Sequence, residues 1–197
     1  MKVPALIAAA MALCNSAQAA PLSERDFQQL MQAAVAASAK TAQPDTQTIC
    51  VQRELESPLK FSRAAMEATH VSGVPGMPVV HLSQAQDAAV EKAFGSALTA
   101  KATVDARTTL SFLTPQFMLY SSASRVPNRC AIDHRWASGS TNHAISITLT
   151  RPVFVDGYAF VDEATDCPGL CGSGWLRIFE KQGSRWKQIA VRNLFVS

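Results

Sequence analysis

The last third of the chain carries the clearest alternation. Ile145, Ile147 and Leu149 are separated by Ser146, Thr148 and Thr150, a period of two that predicts a half-buried strand. Pro152 lacks a backbone donor, so the segment should lie at an edge or end its pairing there. Asp156-Gly157 is a strong two-residue hairpin signal, and Tyr158 and Phe160 belong to the strand after it. A third strand runs from Trp175 through Leu176, Ile178 and Phe179. The turn Gln182-Gly183-Ser184 leads into a fourth, Trp186 to Val196, with Ile189, Val191 and Phe195 expected on one face. The four form an antiparallel meander.

Upstream the period lengthens. Ser23, with Asp26 three residues on, opens a helix whose apolar stripe is Phe27, Leu30, Met31, Ala34 and Val35, ending near Lys40. Ile49 and Val51 suggest a short strand carrying Cys50. Phe61 to Thr69 is a weaker helical stretch, followed by a Gly/Pro loop at 73–78. Ser83 and Gln86 open a second clear helix, striped by Ala89, Val90, Ala93, Phe94, Ala97 and Leu98 and ending near Lys101. Thr109–Leu113 and Phe117–Tyr120 read as short apolar strands interrupted by Pro115, and Ser121–Ser140 is rich in turns. This pattern predicts an α+β fold, with helices packed on one face of a twisted antiparallel meander. A cystatin-like or nuclear-transport-factor-like curled sheet is its specific form, by fold analogy alone. Residues 20–197 are expected to make one domain, with 20–80 an N-terminal appendage and 81–197 the helix-plus-sheet core.

The first residues change the compartment. Lys2, the apolar stretch Val3–Leu13 and Ala17-Gln18-Ala19 form a secretory signal peptide over 1–19, cut after Ala19. Leu13 before Cys14 is too bulky for a lipoprotein signal. The apolar run is shorter than the ~20 residues a membrane helix needs, so no integral membrane segment is expected and the protein is placed in the periplasm or the medium. Loss of Lys2 lowers the formal charge from +3 to +2, too mild for nucleic-acid binding.

Export leaves Cys50, Cys130, Cys167 and Cys171, an even number in an oxidising compartment. Three connectivities are open. Closure of the local pair Cys167–Cys171 would leave Cys50–Cys130. The loop Cys167-Pro-Gly-Leu-Cys171-Gly-Ser-Gly174 has C-x-x-x-C spacing between strands, whereas thiol oxidoreductases use C-x-x-C at a helix N-terminus. A structural clip fits it better, and a four-thiolate zinc site lacks paired C-x-x-C spacing.

Other chemistry is sparse. His70, His81, His134 and His143 show no metal-ligand spacing, and no metal or cofactor is expected. Asp133-His134, with His143 and a serine such as Ser138 or Ser140, is the one local acid–imidazole cluster. Neighbours on a strand face opposite ways, and no G-x-S-x-G elbow accompanies it. Asp162, Glu163 and Asp166 read as a solvated strand end. Arg151, Arg177, Lys181, Arg185, Lys187 and Arg192 read as basic residues of the ribbon, some sharing its outer face. Trp136, Tyr158, Trp175 and Trp186, with Phe195, are candidates for a ligand groove on a curved sheet, or else simple core aromatics.

Arg151-Pro-Val-Phe154, the Cys167–Gly174 loop, Glu180-Lys181-Gln-Gly183 and Trp186-Lys187 together resemble the C-terminal part of a group of small exported bacterial proteins. The group shares an LCG-x-G … EK-x-G-x-W signature and has no assigned activity. The resemblance covers roughly the last 50 residues. It implies a sheet-rich module stapled at the loop and transfers no catalytic residue.

These readings favour an exported, non-catalytic binding or interaction module of the bacterial envelope, holding a protein or a small apolar ligand. The alternative is an extracytoplasmic enzyme, either a hydrolase using His134 or His143 or a thiol oxidoreductase using Cys167 and Cys171. A structural role in envelope assembly is not separable from the first by sequence.

Overall fold

The structure, a computed structural model, describes residues 22–41, 48–67, 82–99, 102–111, 113, 117–123, 127, 130, 144–166 and 172–196. Its elements run α1 (Glu24–Thr41), β1 (Thr48–Gln52), α2 (Lys60–Glu67), α3 (Gln84–Ala97), β2 (Thr103–Val104), β3 (Phe117–Tyr120), β4 (Ala144–Leu149), β5 (Val153–Val155), β6 (Tyr158–Asp166), β7 (Ser173–Gln182) and β8 (Arg185–Val196). The fold is α+β, a few helices on a mixed, strongly curled sheet of eight strands. The signal segment lies outside the described residues.

The hairpins follow from turn chemistry. Asp156 and Gly157 both take positive φ, 51° and 85°, as the turn between β5 and β6 requires, and Gly183 at φ 60° opens the β7–β8 turn. Pro152 ends the pairing of β4; the chain then resumes as β5 on the same side of β6, so one interrupted strand lies along β6. β7 takes the other side of β6 and β8 follows, all antiparallel.

The meander is only part of the sheet. β1 pairs parallel with both β3 and β4, Ile49 opposing Phe117 on one side and Ile145 on the other. Both α1 and β1 come from the 20–80 stretch, and both are built into the central packing. A disulfide joins Cys50 of β1 to Cys130, with both cysteines buried.

Successive strand residues point to opposite faces, and the cores divide accordingly. On one face Ala159, Val161 and Phe179 pack with Ile147, Val51 and the α1 stripe Phe27, Leu30, Met31, Ala34 and Val35, all of it buried. On the other, Phe160, Leu176 and Ile178 pack with Leu59 before α2 and with Val90, Ala93 and Ala97 of α3. Helices therefore cover both faces, not one as the pattern suggested. α1 and α3 begin where their caps dictate. Ser23 Oγ accepts from the Asp26 amide (3.0 Å), and Ser83 with Gln86 closes a full capping box.

β8 departs from simple alternation. The register shifts against β7 between Gly174 and Trp175 and again between Ile178 and Phe179. Each bulge adds a residue and changes which side chains share a face. Ile189 and Ala190 thus both join the α3 core, while Val191 opposes Arg177 on the α1 side. Ile189, Val191 and Phe195 do not form the single face expected of them. Phe195 lies over Gly174, where any Cβ would fall inside its ring, and meets Phe61 of α2 edge-on at 6.4 Å. A glycine at 174 is what lets this aromatic settle onto the sheet.

Candidate functional site

Among the described residues the candidate aromatics do not line one groove. Tyr158 is half-buried on the α3 side of the sheet, packed beside Phe160. Trp175 and Trp186 are both buried on the α1 side. Trp186 opposes Lys181, six residues along β7 from Trp175, or about 20 Å at strand rise. Trp175 donates to Ser173 Oγ (2.9 Å), and Trp186 stacks against Phe154 at 6.0 Å. Both behave as core aromatics. Trp136, the four histidines and the Cys167/Cys171 pair lie outside the described residues, as does the Asp133–His134 cluster.

The acidic run on β6 is not a solvated strand end. Asp162 and Glu163 are both fully buried and only Asp166 is exposed. Being adjacent, the two acids face opposite sides of the sheet. Glu163 points toward α1, where it forms an ion pair with buried Arg177 and accepts from Ser38 of that helix. Arg177 NH2 reaches the other carboxylate oxygen at 3.3 Å, Thr165 donates to it at 3.0 Å, and Arg177 NH1 donates to Gln188 at 3.2 Å. Arg177 therefore does not belong to the outer basic face. The signal was present in the chain: Trp175-Leu-Arg-Ile-Phe is an otherwise unbroken apolar run, the mark of a strand covered on both faces, and a charge inside it must have a partner.

Asp162 points the other way and fastens α2. The Ser62 amide donates to Oδ2 (2.7 Å) and the Ser62 hydroxyl to Oδ1 (2.5 Å), so the carboxylate satisfies donors of the first helical turn. Leu59, at φ 50°, turns the chain into that helix. Burial pushes the Asp162 carboxyl above its ordinary value, with the Ser62 hydroxyl and amide opposing the shift. A carboxyl raised in the folded state contributes stability that is full below its unfolded pKa and is lost as pH rises through the folded one. Asp162→Asn keeps one acceptor for the Ser62 amide and removes the charge. It should stay within about 1 kcal/mol of the parent at neutral pH, with a flatter stability profile as pH rises out of the acid range. Asp162→Ala orphans the helix donors and should lose about 2 kcal/mol. Urea unfolding of both variants across pH checks this; equal losses would show that no bond to Ser62 matters.

Neither acid reaches solvent, so both hold the scaffold and neither is placed to act on a solute. Among the described residues, no group of three His, Cys, Asp or Glu side chains could hold a metal ion. No described helix is long and apolar enough to cross a membrane.

A concave feature of the described residues lies elsewhere. A cleft of about 670 Å³ opens between the start of α2, the end of α3 and the β2–β5 edge. Ala64, Ala97, Leu98, Val104 and Val153 make its apolar wall, with Lys60 and Arg63 contributed by α2. Val104 is 39% exposed, the most exposed large apolar residue described. Sequence reading missed this site because small residues from four separated segments form it and no motif marks them.

Comparison with known proteins finds no matching family model, no matching curated protein and no matching solved structure. The chain also departs from the LCG-x-G … EK-x-G-x-W pattern by one residue, since both Ser184 and Arg185 separate Gly183 from Trp186.

Proposed function

We propose that the chain is an exported, non-catalytic binding module of the bacterial envelope that holds a small, largely apolar ligand. The cleft between α2, α3 and the β2–β5 edge carries this reading. Its volume falls within the ~300–1,000 Å³ of small-molecule sites, and its wall is mostly apolar. Both sheet faces are closed by helices, so the cleft, not the sheet surface, is where a ligand would lodge. Export is supported by the signal-like first 19 residues, by the Cys50–Cys130 disulfide and by the resemblance of the last 50 residues to small exported proteins.

The test uses the mature full-length chain and N-phenylnaphthylamine, a neutral apolar fluorophore. One saturable site is expected, and Ala64→Trp, on the exposed surface of α2, should abolish it by filling the cleft. A folded parent protein that binds no probe overturns the reading, as does binding that Ala64→Trp leaves unchanged.

A further inference from the structure

We infer that the cleft selects a small amphipathic carboxylate, its apolar body against α3 and the β2–β5 edge and its anionic head at Arg63. This deepens the binding reading above and rests on it. Lys60 and Arg63 are three apart on α2 and so share one face of the helix, and both line the cleft. The described wall contains no acid; beyond Ser57 and Thr99 it is apolar. The two cations are not equivalent. Lys60 is engaged by Glu56 at 3.0 Å, one turn earlier, and its ammonium also lies 5.7 Å from the Phe61 ring. Arg63 is exposed, and the one described acid that acts on it is Asp162, which is buried behind Ser62 and already accepts from that residue's amide and hydroxyl. Its planar fork matches a carboxylate with two parallel hydrogen bonds. An apolar wall with an exposed guanidinium at its margin discriminates by charge: a neutral molecule gains only the burial, and a cation is repelled at Arg63.

Displacement of N-phenylnaphthylamine by decanoate and by decanol separates the two contributions, since the chains match and only the head differs. Decanoate should displace the probe at about three- to tenfold lower concentration than decanol, the range of one partly exposed charge-assisted contact. Arg63→Ala should bring decanoate to the level of decanol measured on the same variant, while Arg63→Lys keeps part of the preference. Added salt should weaken decanoate alone. Equal displacement by the two in the parent, or a preference that survives Arg63→Ala, overturns the charge selection and leaves the apolar site standing. Failure of the parent to bind the fluorophore overturns the binding reading and this inference with it.

Discussion

Replacing Arg177 with methionine is expected to destabilise the fold by about 3–5 kcal/mol, because the buried Glu163 carboxyl is then left without its cation. Against a total of about 5–15 kcal/mol for an ordinary domain, that single change brings the protein to the margin of folding. Glu163→Leu alone should lose a similar amount by leaving the buried guanidinium without its carboxylate. The informative variant combines them. In Arg177→Met/Glu163→Leu both charges are gone, Ser38 keeps its bond to the Ala34 carbonyl (2.9 Å), and half-buried Thr165 and Gln188 each lose one partner. The double variant should therefore recover most of the loss, since matched apolar residues often equal or exceed a buried ion pair. Urea unfolding of all four proteins gives the coupling energy directly. Simple additivity of the two single losses would show that the pair is not coupled through burial.

Opening the Cys50–Cys130 disulfide should be comparably severe. The bridge closes a separation of 80 residues, and in the chain-entropy picture its removal gives the unfolded state about 4.5 kcal/mol. Cys50 sits at the centre of β1, opposite Met118 of β3 and Ser146 of β4, so the link holds an interior strand and not a surface loop. Cys50→Ala/Cys130→Ala avoids leaving buried thiols and should shift the urea midpoint downward. Its unfolding should then no longer respond to reductant through this bond. An unshifted midpoint would mean that the pairing of β1 with its neighbours holds the strand without help.

What could be read from the chain was local. The stripes and caps of α1 and α3 were legible because period and capping residues agree, and the two tight hairpins because Asp156-Gly157 and Gly183 suit positive φ. The strand carrying Cys50 was visible as well, but not its parallel partners, which lie far along the chain and leave no mark on β1 itself. The charges failed for a related reason. Asp162, Glu163 and Arg177 look like surface residues until the opposite face of the sheet is known to be covered. The bulges in β8 and the cleft are products of assembly, and no short run of residues announces either.

The interior place of β1, between β3 and β4, also governs the order in which the molecule can be made. Strands β5 to β8 pair in the order in which they follow one another and can do so within a short stretch of chain. β1 cannot: Ile49 must wait for both Phe117 and Ile145, so the slot it fills is closed only by contacts of high sequence separation. Until that happens β3 and β4 each present a bare edge, the kind of template that recruits a strand from another chain. Refolding yield should consequently fall as protein concentration rises, with the vulnerable species being one whose C-terminal meander is already built and whose slot between β3 and β4 is still empty.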